Sequence, residues 1–258
     1  MSKVLTISFV VVFLAGATAL GSWDPSMPAK YVQMPDLSPS GLDVMATTPK
    51  VLADDFPCYQ TGLITDIHIW CSWRQDLAMT SDAVAFQLSI HDNIPAGPNQ
   101  PYSKPGNLLW SHIFNPGEYE TLIEGVAPEG WYNPNTGELV RNDHTLVWQY
   151  NFNIDPAVAF MQEGSAAALK IYWLDVSALL PPGQNAQFGW KTSNEHWMDD
   201  AVFTDTDVVG TSPVAGWLPL VDPATGQSLD MAFVITPEPA TLGLLLVGGL
   251  ALLRRGRK

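Results

Sequence analysis

Two cysteines in 258 residues exclude a scaffold stapled by several disulfides. Cations are scarce as well, with 12 Lys+Arg against 26 Asp+Glu and a net charge of −14. A balance this acidic excludes nucleic acid as a partner, because phosphate binding needs a basic footprint. The common catalytic signatures are missing: there is no H-E-x-x-H, no G-x-S-x-G, no P-loop and no G-x-G-x-x-G. The five histidines, His68, His91, His112, His144 and His196, have no close-spaced partner, so local spacing offers no zinc site. They read as exposed residues on strand faces. No internal repeat is visible and no low-complexity tract. Amphipathic helices longer than a turn or two are lacking too, and Phe160–Ala167 is the one short candidate.

Long apolar runs occur only at the two ends. At the front, Lys3 is a short positive region, Val4–Leu14 is apolar apart from Thr6 and Ser8, and Ala17-Thr18-Ala19 is an A-x-A cleavage site. Residues 1–19 therefore read as a secretory signal peptide cleaved after Ala19. At the back, Pro237-Glu238-Pro239 is followed by the uncharged run Ala240–Leu253 and then Arg254-Arg255-Gly256-Arg257-Lys258. The prolines fix φ and withdraw N–H donors, so they end a strand and can open a helix. The 14 apolar residues span roughly 21 Å as a helix, short against a hydrocarbon core of about 30 Å. The terminal cations would stay on the cytoplasmic side. Break, hydrophobic helix and Arg-rich end, in that order, resemble the bacterial PEP-CTERM sorting signal. The resemblance implies recognition of 237–258 by an exosortase through Pro237, Glu238, Pro239, Arg254 and Arg255. It also implies a transient membrane anchor through the C-terminal helix, and export to the envelope or extracellular matrix of a bacterium. A plain tail anchor is the competing reading of the same residues.

Between the ends, residues 20–236 hold 7 cations and 25 acids, once Lys3, Glu238 and the four tail cations are set aside. Residues 20–50 are Pro-rich and read as an extended lead, in which Lys30–Met34 is a candidate edge strand and Trp23 and Tyr31 could pack back onto the domain. From Val51 to residue 236, short strands with period-2 alternation alternate with Pro/Gly/Asn loops. Val84, Phe86, Leu88 and Ile90 face one way and Ala85, Gln87, Ser89 and His91 the other. Ile67, Ile69, Cys71 and Trp73 share a face, as do Leu146, Trp148, Tyr150, Phe152 and Ile154. The stretch through Gly117, Gly125, Gly130 and Gly137 reads as a long loop. The fold class expected is all-β, an antiparallel β-sandwich of jelly-roll type. The segments Leu52-Ala53-Asp54-Asp55-Phe56, Thr65-Asp66-Ile67-His68-Ile69-Trp70, Pro105-Gly106-Asn107-Leu108-Leu109-Trp110 and Phe188-Gly189-Trp190-Lys191-Thr192 resemble a family of secreted environmental-bacterial proteins with a domain of unknown function. That resemblance implies a β-sandwich and assigns no activity.

Several residues are candidates for more specific roles. Cys58 and Cys71, in an oxidising compartment, are candidates for a disulfide, with two buried free thiols as the alternative. Asp54-Asp55 and Asp199-Asp200 flank strands and could supply oxygens to a structural Ca²⁺, although solvated turn and strand-end aspartates are the simpler reading. Trp131-Tyr132 lies in a Gly/Pro/Asn-rich stretch and is a candidate sugar platform. No other cofactor is expected. The function these readings support is a non-catalytic cell-surface or matrix protein with a structural or adhesive role. A carbohydrate-binding module for extracellular polysaccharide is the first alternative, and a polysaccharide hydrolase, which needs two carboxylates facing one cleft, is the second.

Overall fold

The structure, a computed structural model, describes residues 22–78, 83–205 and 216–237. These residues are almost entirely β and contain no α-helix. In chain order the strands are β1 (Tyr31–Gln33), β2 (Leu42–Met45), β3 (Lys50–Ile64), β4 (Asp66–Trp73), β5 (Ala85–Ile94), β6 (Lys104–Phe114) and β7 (Glu120–Asn133). They continue with β8 (Glu138–Asn153), β9 (Phe160–Leu179), β10 (Phe188–Ser193), β11 (Val202–Asp205), β12 (Leu218–Pro219), β13 (Asp230–Met231) and β14 (Phe233–Thr236). One sheet runs β12-β11-β3-β9-β5-β6, and the other runs β1-β14-β4-β8-β7-β2-β10-β13. The leader 1–19 and the apolar run of the tail lie outside the described residues, as do Glu238, Pro239, Arg254 and Arg255. Among the described residues no helix is long and apolar enough to cross a membrane.

The eight-stranded sheet curls until it meets itself. β4 pairs with β8 on one side, while its other side is shared by β14 up to Ile69 and by β10 from Cys71 onward. β10 also pairs with β2, β2 runs parallel to β7, and β7 pairs with β8. β4, β8, β7, β2 and β10 thus form a closed ring of five strands. The β2–β7 pairing is the parallel exception in a set of otherwise antiparallel named ladders.

Alternation decides which faces pack. Phe86, Leu88 and Ile90 of β5 join Ile67, Ile69, Cys71 and Trp73 of β4 in one core between the sheets. Phe86 is its hub, with ring centroids 5.1 Å from Tyr119, 5.2 Å from Tyr150, 5.6 Å from Phe152 and 4.9 Å from Phe188. These are edge-on aromatic contacts, which add to area burial. A second cluster lies elsewhere on the eight-stranded sheet, where Trp23 meets Trp70 edge-on at 6.1 Å beside Val147, Ala232 and Val234. Prolines sit where the ladder tolerates them. Pro105 is on the edge strand β6, Pro128 is in a register shift of β7, and Pro57 lies beyond Ala53, where β11 stops pairing with β3.

Three expectations are corrected. The lead, described from residue 22 onward, is part of the sandwich rather than irregular chain: besides the edge strand β1 at Tyr31–Gln33 it supplies β2 inside the ring, and Gln149 clamps Trp23 through two hydrogen bonds of 3.0 Å to its backbone. Most of the glycine-rich stretch is β7, which contains Gly125 and Gly130 while Gly117 and Gly137 sit in the turns on either side; its register shifts after Ile123, Val126 and Glu129 break the alternation that identifies a strand. Phe160–Ala167 is the start of β9 rather than a helix.

The aromatic hub generates an expectation. Phe86→Ala removes a ring that touches four others and should lower unfolding free energy by about 3–5 kcal/mol, measured by urea denaturation. A loss under about 1 kcal/mol would mean that the hub is not packed as described.

Candidate functional site

Polar chemistry in this domain is sunk in the interior. Two groups of ionisable residues are buried, and they differ in how their charge is balanced.

The first group belongs to the five-strand ring. Asp43 (β2), Glu129 (β7), His144 (β8) and Lys191 (β10) are each no more than 1% exposed. The Lys191 ammonium lies 2.5 Å from Glu129 Oε2 and 3.3 Å from Asp43 Oδ2. His144 Nε2 lies 2.9 Å from the same Asp43 oxygen, and its Nδ1 lies 3.3 Å from Asp143. Burial and the nearby Lys191 charge would depress the His144 imidazole, but the hydrogen bonds to Asp43 and Asp143 and the charge of Asp43 outweigh them and raise its pKa. Burial pushes the Glu129 carboxyl up, against the pull of Lys191. At the mouth of the ring Arg74 reaches Glu138 at 2.5 Å and Asp143 at 3.6 Å, and it lies 5.8 Å over the Trp131 ring. Backbone must come close here. A Cβ on Gly41 would stand 2.7 Å from Glu129 Oε2, and one on Gly189 would stand 2.6 Å from the Trp131 ring. Glycine is the residue that fits both.

The second group lies along the edge of β3. Asp54, Asp55 and Asp230 are buried. Asp54 Oδ2 accepts from the Met231 N–H at 2.6 Å and the Gln33 amide at 3.1 Å. Both oxygens of Asp55 and Oδ1 of Asp230 are buried, and the Asp199 backbone N–H is turned toward the Asp55 carboxylate. The Asp199 carboxylate accepts from the Ser103 N–H at 3.0 Å instead. The structure therefore brings Asp54 and Asp55 together with Asp230, a residue that sequence spacing did not single out. Among the described residues no three His, Cys, Asp or Glu side chains converge on a point that could hold a metal ion. The suggested Ca²⁺ at Asp54, Asp55, Asp199 and Asp200 has no such centre to occupy.

The remaining candidates are also displaced from a surface role. Cys58 and Cys71 are free thiols. They sit in strands of different sheets, where Cys58 Sγ donates to Gln60 O at 3.3 Å and Cys71 Sγ to Trp148 O at 3.8 Å. No bridge joins them. Trp131 and Tyr132 are buried in β7, so they offer no stacking face to a sugar. Three of the five histidines, His68, His91 and His144, are buried rather than exposed. His91 is held on both sides, by Asp175 at 2.7 Å and Gly106 O at 3.3 Å. Two acceptors facing one imidazole hold it doubly protonated, and its pKa is raised despite burial. His91 therefore has no free nitrogen to act as a base.

The described residues also form open surface features, of which one is wide enough to bear on binding. A cleft of about 520 Å³ crosses β5, β6 and β9, lined in part by Asp92, Asn93, Leu109, Leu169 and Lys170.

The ring network carries its own expectation. Lys191→Met leaves Asp43 and Glu129 buried without their cation, which should cost about 3–5 kcal/mol of stability in denaturant titration. An unchanged midpoint would mean that the carboxylates are already neutral.

The comparisons with known proteins give a family and nothing closer. A family model described as a domain of unknown function (DUF7901) matches residues 29–236. No curated protein matches, and no solved structure does.

Proposed function

The chain belongs to this DUF7901 family, and from that premise we propose that it is an exported, non-catalytic β-sandwich displayed at the cell surface or in the extracellular matrix of a bacterium. Its role is structural or adhesive, and its C-terminal tail addresses it to an exosortase. One observation carries the reading. Both the family match and the last strand β14 end at residue 236, and Pro237-Glu238-Pro239 begins at the next residue. A membrane enzyme can therefore engage the tail without unfolding the sheet. The acidic balance of the domain suits a soluble exported body, and the leader-like residues 1–19 give the route out of the cell.

In a host that makes an exosortase, the mature protein should lack Leu242–Leu253 by mass spectrometry. Replacing Pro237, Glu238 and Pro239 with alanine should leave full-mass protein in the membrane fraction. Equal processing of both forms would remove the sorting reading.

A second reading has the cleft behind it. Its apolar Leu109 and Leu169 beside Asp92, Asn93 and Lys170 mix an apolar face with hydrogen-bonding groups, as a module for extracellular polysaccharide requires. The carboxylate among these lining residues is Asp92 alone, and glycoside hydrolysis uses two, so binding rather than cleavage is the chemistry on offer. A glycan array should show retention that Leu109→Asp abolishes. No retained sugar at about millimolar concentration would end this reading.

A further inference from the structure

The ring cluster has no part in the sorting or binding readings, yet it holds a nucleophile, an acyl carbon and a proton carrier in contact. Lys191 and Asp43 are direct cross-strand partners where β10 pairs with β2, so their side chains leave the two strands on the same face. Lys191 Nζ lies 3.3 Å from Asp43 Oδ2 and 2.5 Å from Glu129 Oε2, and all three side chains are fully buried. His144 Nε2 holds the same Asp43 oxygen at 2.9 Å. The backbone closes over the amine as well, since a Cβ on Gly41 would stand 2.8 Å from Nζ.

As an ion pair the cluster is incomplete. Asp43 Oδ1 and Glu129 Oε1 are buried with no hydrogen-bond donor, and a buried ion recovers its lost hydration only when its remaining lone pairs are satisfied. An amide between Lys191 Nζ and Asp43 Cγ replaces one buried cation and one buried anion with a neutral group, and it expels the unpartnered Asp43 oxygen. Glu129 is placed to move the protons. Burial pushes its carboxyl up against the pull of Lys191, which favours a proton shift along their 2.5 Å contact and frees the lone pair of the amine. A desolvated, neutral lysine is a nucleophile, and the contact holds it against its target without water between them. His144, donating to Asp43 Oδ2, stabilises the negative charge that develops there as the carbon becomes tetrahedral. No donor reaches Glu129 Oε1, which makes Asp43 the acyl group and Glu129 the proton carrier.

We propose that Lys191 and Asp43 condense into an isopeptide bond that staples β10 to β2, with Glu129 as the catalytic residue. The ion pair is the state in which the ring closes, and the amide follows from it. Glu129 takes a proton from the Lys191 ammonium and passes it to the Asp43 carboxylate. The neutral amine attacks Asp43 Cγ, and the C–N bond forms. Glu129 then takes a proton from the attacking nitrogen and hands it to the hydroxyl on that carbon. The C–O bond breaks and one water leaves. Ammonium and carboxylate have become amide and water, Glu129 ends as it began, and nothing is oxidised or reduced. Asp43 and Lys191 are 148 residues apart, so the bond closes most of the domain into one covalent loop and constrains the unfolded chain as a disulfide does. Cys58 and Cys71, being free thiols, supply no such staple. The bond goes beyond the sorting and binding readings, and neither depends on it.

The test uses the full-length chain, purified in detergent and then denatured. Its mass should lie one water, about 18 Da, below the mass of its sequence. Tryptic digestion should leave the bond after Lys191 uncut and yield a branched peptide that joins the segment containing Asp43 to the segment containing Lys191. On a denaturing gel the looped chain should run apart from the linear chains of Asp43→Ala and Glu129→Gln, both of which should show the full mass of their own sequences. Full mass and no branched peptide in the unmodified chain overturn the proposal, a readout that needs no variant to fold. A branched peptide that joins Lys191 to Glu129 overturns the roles given to the two carboxyls. Loss of water that persists in Glu129→Gln overturns the catalytic role of Glu129.

Discussion

Closing five strands into a ring puts charge where water cannot reach, and the buried Lys191 ammonium is what makes that closure tolerable. Two carboxylates, Asp43 and Glu129, lie within 3.3 Å of it. Desolvating ions is costly, and attraction at low dielectric offsets the cost only when geometry is close and other partners are satisfied. The contributors come from β2, β7, β8 and β10, so the network can form only after all four strands are in register. It ties β2, a short strand from the N-terminal lead, to the middle of the chain. Gly41 and Gly189 let the backbones approach, and Arg74 over Trp131 covers the mouth of the ring.

The two buried clusters solve the same problem in opposite ways. Around Lys191 negative charge is matched by positive charge, so the cluster can stay ionised. Around Asp55 the neighbouring charges are acidic as well, and half-exposed His196 lies beside Asp230. Both clusters join segments distant in sequence. Each holds strands or sheets together rather than opening onto a substrate. That placement is in keeping with the structural role proposed for the domain.

Much of the sandwich is legible in the chain. The period-2 faces of β4 and β5 assign Ile67, Ile69, Cys71, Trp73, Phe86, Leu88 and Ile90 to the core, and all are buried there. Legibility fails where periodicity does. β7 shifts register three times, so its glycines and Pro128 imitate a loop. β2 is four residues long, too short for alternation to register. Trp131 and Tyr132 belong to the same irregular strand, and both are buried in the interior. Asp230 could not be joined to Asp54 by spacing, because 175 residues of chain separate them.

Sequence by itself determined the elements that depend on near neighbours. These are the all-β character, the inward faces of the regular strands, the acidic balance, and the signal-like ends with their break at Pro237. Tertiary structure alone decided everything that depends on which strands lie side by side. It placed Cys58 and Cys71 in different sheets as free thiols, drew β1 and β2 into the sandwich, and buried His68, His91 and His144 against acceptors. It also put a lysine among the carboxylates of one cluster and left the other with only a half-exposed histidine. The reason is one of range: side-chain alternation is written within a few residues, whereas partnership between charges is set by strand order, which brings together residues more than a hundred positions apart.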